Sequence, residues 1–245
     1  MRYLMMAAAL PLAACGSVAM GSDSGDSGDR VVPSGADGTR SFAVTDFTAV
    51  ELAGADDVDV RVGGAFSVRA EGPADQLDKL EIRKDGSTLW VGRKRESGWS
   101  MTSGKGVKVY VTMPAIGAAS LAGSGNLIVD RVQTADFKGS LAGSGDMKLG
   151  QITATSANLS IAGSGGIGAA GQVQRLKIAI AGSGDVDAPG LKARQADVSI
   201  AGSGDVSAEV NGPAKISLMG SGDVTLGGKP QCTTSKMGSG DVRCG

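Results

Sequence analysis

The sequence predicts an all-β protein folded as a right-handed parallel β-helix, and three observations lead to this prediction. The phrase Gly-Ser-Gly, followed in most copies by Asp, returns seven times, beginning at residues 123, 143, 163, 182, 202, 220 and 238. Its period of 18–20 residues is typical of a solenoid in which each repeat forms one coil. Within each repeat, apolar residues alternate with small or polar ones at a period of two, as in strands with one buried face.

The apolar columns keep a fixed distance from the first glycine of each phrase. Two residues before that glycine stand Leu121, Leu141, Ile161, Ile180, Ile200, Leu218 and Lys236. Four residues after it stand Leu127, Met147, Ile167, Val186, Val206, Val224 and Val242. Because glycine tolerates the positive φ of a sharp corner, we expect each phrase to turn the chain between two strands. Seven coils about 4.8 Å apart would form a rod about 34 Å long, and right-handed winding is the default for such crossovers.

The composition fits a narrow aliphatic core and excludes several function classes. Of 245 residues, 41% are hydrophobic but only 3% are aromatic. The chain has no histidine, which excludes histidine metal sites and Ser-His-Asp hydrolysis. Its 24 basic and 25 acidic residues leave a net charge of −1, and no basic cluster is long enough to indicate nucleic-acid binding.

Residues 1–14 have the features of a lipoprotein signal peptide. Arg2 precedes an apolar run that is too short to span a bilayer. The run ends in the letters LAAC, which resemble the lipobox of bacterial lipoproteins and imply cleavage before Cys15 and a lipid on its sulfur. An ordinary secretory signal cut near the same alanines is the alternative. Gly16 after the cysteine favours the outer membrane, so we expect an exported protein anchored by lipid in the bacterial cell envelope.

The mature chain divides into a tether and one folded domain. Residues 15–40 are rich in Gly, Ser and Asp, a composition that predicts a flexible tether. Residues 41–245 would form the domain, with a β-rich cap at 41–113 and the repeat coils at 114–245. Turns at residues 63–64 and 85–86 predict hairpins. The letters LAGADDV at residues 52–58 are similar to the later phrase, which indicates that the cap begins the same β-helix and covers its open end.

The segments of the folded domain follow a distinctive order. FTAV at residues 47–50 leads into the GADDV turn, followed by a strand at 66–70, LEI before DGSTL at 80–89, a strand at 107–113 and the Gly-Ser-Gly-Asp array. This order resembles the GIN domain, named as the head of auto-transporter adhesins. The resemblance covers about residues 42–245. It implies an exported right-handed β-helix and no established enzymatic activity.

The aspartates that follow the phrases should form a ladder along one edge. They are Asp146, Asp185, Asp205, Asp223 and Asp241. Carboxylates about 5 Å apart repel by roughly 1–3.5 kcal/mol at effective dielectric constants of about 80 to 20, and we expect corner N–H groups and water to relieve this. Calcium is the alternative, but calcium-binding repeats place one residue between Gly and Asp, and Asn126 and Gly166 occupy two of the seven positions. We therefore predict no metal and no cofactor.

A polysaccharide-binding or polysaccharide-cleaving protein is the main alternative function for a β-helix. Such sites need clustered Asp, Lys or Arg in a groove, usually flanked by aromatic rings. The repeat array contains Phe137 as its only aromatic residue, and no catalytic residue can be assigned. The sequence therefore favours a protein that is not an enzyme.

Small side chains between the apolar columns predict a flat interaction surface, called the smooth face here. Its predicted members are Ser140, Ala142, Ser160, Ala162, Ala181, Ser199 and Ala201. Flat repetitive surfaces suit docking to an envelope polymer, a partner protein or a second copy of the chain. The alternative is that small residues merely ease the stacking of strands.

Two cysteines remain once Cys15 is assigned to lipid, and an exported chain is expected to oxidise them. Cys232 lies six residues before its phrase glycine and Cys244 lies six residues after it. Both positions are an even number of residues from an inward column of the same strand, so both side chains should point into the core. We therefore predict a Cys232–Cys244 disulfide that closes the final coil, where Lys236 replaces an apolar residue.

Overall fold

A computed structural model describes residues 28–35, 38–94 and 106–245, and within them the backbone forms nineteen strands and one short helix. The cap contains β1 (Asp29–Arg30), β2 (Pro33–Ser34), β3 (Thr39–Phe42), β4 (Ala49–Gly54), β5 (Asp57–Val62), β6 (Ser67–Glu71), α1 (Ala74–Leu77), β7 (Leu80–Asp85), β8 (Thr88–Arg93) and β9 (Lys108–Met113). The repeat region contains β10 (Ala118–Gly123), β11 (Asn126–Gly143), β12 (Asp146–Gly163), β13 (Gly166–Gly182), β14 (Asp185–Gly202), β15 (Val206–Val210), β16 (Pro213–Gly220), β17 (Val224–Gly228), β18 (Gln231–Met237) and β19 (Val242–Cys244).

The strands stack as a β-solenoid of about six turns, which confirms the predicted fold class. Seven phrases enclose six repeat intervals, and this explains the difference from the predicted seven coils. The long strands β11 and β12 pair in parallel from Asn126 opposite Asp146 to Gly143 opposite Gly163. Right-handed winding stays a prediction from backbone chirality.

Each coil carries three runs of paired residues separated by corners. In β11 the runs are residues 136–143, 126–129 and 131–134. With their equivalents in other coils, they form sheets A, B and C respectively. Inward side chains from all three sheets, such as Leu141, Met147 and Ile152, are at most 2% exposed. One continuous aliphatic core therefore runs along the solenoid axis.

The two glycines of each phrase are required for different reasons. Gly143 has a φ of 127°, which side chains rarely adopt. Gly145 does not have a positive φ, but a Cβ added there would lie 2.2 Å from the carbonyl oxygen of Gly125 in the preceding coil. Ser144 and Gly145 both donate backbone N–H bonds of 3.0 Å to Gly123 O. The corner therefore stacks backbone directly on backbone, a contact that the sequence analysis did not predict.

Aspartates join the later coils at this corner. The Asp205 N–H donates to Asp185 Oδ1 at 2.8 Å, the Asp223 N–H to Asp205 Oδ1 at 2.7 Å, and the Asp241 N–H to Asp223 Oδ1 at 2.8 Å. In an earlier coil the Asp146 N–H instead donates to Gly125 O at 3.2 Å. Each carboxylate of the later group thus holds the next coil, as corner capping requires.

The cap begins the solenoid, as the sequence predicts. β4 pairs in parallel with β10, with Gly54 opposite Gly123, and β5 pairs with the start of β11. The predicted hairpin at residues 85–86 is confirmed, since β7 and β8 are antiparallel with Asp85 opposite Thr88. The hairpin predicted at residues 63–64 is wrong. β9 pairs with both β5 and β6 and separates them, and its Val109, Val111 and Met113 are buried in the core there.

The final coil is closed by a disulfide and a lysine. Cys232 and Cys244 are bonded, with Cα atoms 6.6 Å apart, as predicted. Lys236, which stands in an inward column, donates from Nζ to Gly240 O at 2.7 Å. The ammonium group thereby bridges its own corner at the C-terminal end of the stack.

Replacing Gly145 with alanine should lower the free energy of unfolding by about 1–3 kcal/mol, because the new methyl group would force stacked backbones apart. Urea denaturation measures the change. Gly168→Ala is the matched control, since a Cβ there meets nothing closer than Asp187 O at 3.9 Å. Equal losses in the two variants would contradict close stacking as the reason for the glycine.

Asp205→Ala should destabilise the protein by about 1 kcal/mol, because the Asp223 N–H loses its acceptor. Asp205→Asn keeps an oxygen at the same place and should retain most of the stability. Thermal melting measures both variants.

The aspartate ladder is predicted to need no metal, so melting curves of the wild-type protein recorded with calcium and with chelator should coincide. A large rise of Tm in calcium would instead indicate a metal site, since a ligand that binds the native state stabilises it.

Candidate functional site on the outer surface of sheet A

Four rows of outward side chains cover sheet A, because alternate residues of each strand point away from the core. Register pairing aligns one residue per coil in each row. The corner row contains Asp136, Ser156, Arg175, Gln195, Pro213 and Gln231. The lysine row contains Lys138, Asn158, Lys177, Asp197, Lys215 and Thr233. The serine row contains Ser120, Ser140, Ser160, Ala179, Ser199, Ser217 and Ser235. The alanine row contains Ala122, Ala142, Ala162, Ala181, Ala201, Met219 and Met237.

The smooth face is a shallow trough between the serine and alanine rows, with a volume of about 520 Å³. All seven predicted members line it: Ser140, Ala142, Ser160, Ala162, Ala181, Ser199 and Ala201. The alanines are exposed, whereas the first serines are half-buried. Ser160 Oγ donates to Ser140 Oγ at 3.2 Å, so these hydroxyls bond along the row. The structure thus brings the predicted residues together, and their docking role stays a prediction.

The smooth face continues at both ends into larger side chains. Toward the cap, Glu51 pairs with Ser120 and with Trp90, and the Arg83 guanidinium lies 3.9 Å from the Trp90 ring centroid. At the other end Met219 and Met237 are 59% and 70% exposed. The sequence analysis did not place Trp90 on this surface, because only strand pairing within the cap brings β8 beside β4.

A second trough, the basic groove, lies between the corner and lysine rows and has a volume of about 620 Å³. Its charged lining residues are Arg175, Lys177, Asp197 and Lys215. Uncharged polar side chains of the same two rows also line it, and Ala157, Leu176, Ala196, Pro213 and Ala214 contribute apolar surface. This groove was not predicted from the sequence. The sequence signal for it is a lysine five residues before the first glycine of the phrase, which recurs in every second repeat as Lys138, Lys177 and Lys215.

Sheet B carries the opposite charge. Its outward positions include the aspartate ladder as well as Asp57 and Asp59 of β5. Lys108 Nζ lies 2.7 Å from Asp59 Oδ2, and this hydrogen-bonded ion pair raises the pKa of Lys108. A polar depression of about 260 Å³ beside these residues also contains Asp146 and Lys148. Within the described residues, no group of three or more Cys, Asp or Glu is arranged to hold a metal ion.

The predicted lipid site, Cys15, lies outside the described residues, as does the signal peptide. In the described ranges, no helix is long and apolar enough to cross a membrane. Cys232 and Cys244 form a structural bond at the end of the solenoid and do not contribute to either trough.

Solved structures with this fold include the following three. A putative adhesin from Bacteroides fragilis has a TM-score of 0.75 and 20% identity, covering 86% of this chain and 98% of its own. A putative lipid binding protein from Parabacteroides distasonis has a TM-score of 0.69 and 23% identity, with 86% and 97% covered. A putative adhesin from Parabacteroides merdae has a TM-score of 0.63 and 18% identity, with 84% and 94% covered. No curated protein matches the chain.

A family model described as putative auto-transporter adhesin, head GIN domain, matches residues 46–230. The matched span includes the paired strands of the cap and most of the coils that build both troughs. The resemblance inferred from the segment order is therefore confirmed. The chain belongs to the GIN head-domain family of putative auto-transporter adhesins.

Proposed function

We propose that this protein is an exported, lipid-anchored module of the bacterial envelope that acts as an adhesin by presenting its smooth face, without catalysis. The observation that carries the proposal is the unbroken surface of small side chains on sheet A. Its serine and alanine rows follow seven coil levels, a length of about 29 Å at the spacing of paired strands.

The smooth face has the properties of a preformed contact surface. Backbone hydrogen bonds to both neighbouring coils hold the strands of sheet A from β10 to β16, so this surface is formed before a partner arrives. Rigid surfaces lose little conformational entropy on binding. Alanine side chains also let a flat partner approach closely, and the exposed methionines at one end add adaptable apolar contacts. An envelope polymer or a partner sheet fits this shape, and a second copy of the chain is the third candidate.

The charged residues on sheet A support binding rather than cleavage. Glycoside hydrolases generally use two carboxyl groups on opposite sides of the bond that they break. The lining of the basic groove contains one carboxylate, Asp197. The description of the family as adhesins points in the same direction.

Replacing Ala162 and Ala181 together with arginine should abolish adhesion, because two long charged side chains would hold a flat partner away. The measurement is binding of protein-coated beads to isolated cell-wall and outer-membrane fractions, with light scattering to detect self-association. Thr153→Arg with Gln172→Arg is the matched control, since these exposed residues occupy sheet C in the same two coils.

If adhesion and oligomeric size stay unchanged in a folded Ala162→Arg and Ala181→Arg variant, the proposal fails. The small residues would then serve only to ease strand stacking. Self-association through the smooth face would appear as a concentration-dependent mass that the same variant removes and the sheet C control keeps.

Cys15→Ser should leave the protein unprocessed or soluble, because no thioether to lipid can form. Partition into detergent after cell fractionation measures the change. The control is Cys232→Ser with Cys244→Ser, which removes the disulfide and should keep the detergent partition. Unchanged partition of the Cys15→Ser protein would refute the lipid anchor.

A further inference from the structure

We infer that the basic groove is a binding site for a linear polysaccharide that carries carboxylates. This goes beyond the proposed contact surface, because the groove uses the other two rows of sheet A. Its lining residues come from five successive coils, from Ser156 to Gln231, which corresponds to a length of about 19 Å. Its volume of about 620 Å³ lies within the usual range of ligand sites. An elongated groove of this kind suits an extended polymer.

The charges of the groove favour an anionic ligand. Arg175, Lys177 and Lys215 face a single carboxylate, Asp197, so the lining is basic although the whole chain has a net charge of −1. Asp197 lies between Lys177 and Lys215 in the register of sheet A. Even so, none of these three cations forms an ion pair with any residue in the described parts of the chain.

Two lysines on the other sheets are held in ion pairs instead. Lys108 pairs with Asp59 at 2.7 Å on sheet B, and Lys192 pairs with Glu209 at 3.7 Å on sheet C. The cations of the basic groove therefore keep their charge available for a ligand. Carboxylates are a natural partner, because charge-assisted hydrogen bonds to Arg and Lys are among the strongest in proteins.

The spacing of the cations favours a sugar polymer. Lys177 and Lys215 are two coils apart, or about 10 Å. A sugar unit in an extended polysaccharide advances by roughly one coil spacing, so carboxylates on alternate sugars would meet successive lysines. Asn158, Gln195 and Gln231 also line the groove, and their amides can both donate to and accept from hydroxyls. Single-stranded nucleic acids bind largely by stacking on aromatic rings, and the groove lining contains none.

The test measures binding of hexamers of galacturonate and of mannuronate by calorimetry at low salt. At least one should bind the wild-type protein, and its fully methyl-esterified form, which lacks the charges, should not. Lys177→Gln with Lys215→Gln should lower the affinity about tenfold or more. The matched control, Lys148→Gln with Lys229→Gln, has the same net charge and should stay within about twofold of wild type. Asp197→Asn should raise the affinity severalfold, a gain that a purely structural role would not produce.

Several results would overturn the inference. They are absence of binding by both hexamers at millimolar concentration, equal binding of the methyl ester, or equal losses in the two lysine variants. Tighter binding of a glutamate hexapeptide than of either uronate would assign the groove to acidic proteins instead. Thermal melting of each variant controls for folding, and the smooth-face substitutions leave every lining residue of the groove in place.

Discussion

The structure depends on the direct stacking of backbone on backbone at the Gly-Ser-Gly corner. A side chain at either glycine would enter the preceding coil, because an added Cβ at Gly143 or Gly145 lies within 2.3 Å of a carbonyl oxygen. The corner therefore sets a constant distance between coils and keeps sheet A and the start of sheet B in register. Register shifts occur instead where sheet B ends, between Leu149 and Gln151, Gly168 and Ala170, and Ala188 and Lys192. The aspartate bonds of the later coils add a second link at the same place. Apolar burial stabilises the core, but the corner decides how the coils align.

Alignment of the coils turns each position of the repeat into a row on the surface. A residue type that recurs in most repeats becomes a nearly continuous line of similar side chains, as the serine and alanine rows show. A residue that recurs in every second repeat becomes a line with twice the spacing, as in the lysine row. Two of the three sheets thereby acquire distinct surfaces: sheet B is acidic, while one half of sheet A is smooth and the other half is basic. Along the described coils, the chemistry of the surface therefore follows the columns of the repeat.

The sequence was sufficient to predict the features that depend on the length of the repeat and on the alternation of inward and outward side chains. The 18–20-residue repeat predicted the solenoid, alternation predicted which side chains are buried, and column parity predicted that Cys232 and Cys244 could bond. Pairing between distant segments was not predictable in the same way. Alternation at residues 107–111 indicated a strand, but nothing local indicated that β9 would enter between β5 and β6. Trp90 and the basic groove were missed for a related reason, since neighbours in space became visible only when the rows were assembled.

Lys236 disfavours the addition of further coils at the C-terminal end of the solenoid. The edge of a parallel sheet is a template on which further strands can be added, and a regular solenoid would extend into a fibre if identical coils kept joining it. A lysine in an inward column makes the next layer unfavourable, because adding a coil would bury an ammonium group that now bonds to Gly240 O. The Cys232–Cys244 disulfide also links the two ends of this last coil. The C-terminal coil thus opposes the end-to-end addition of further coils, a hazard that parallel strand edges otherwise carry.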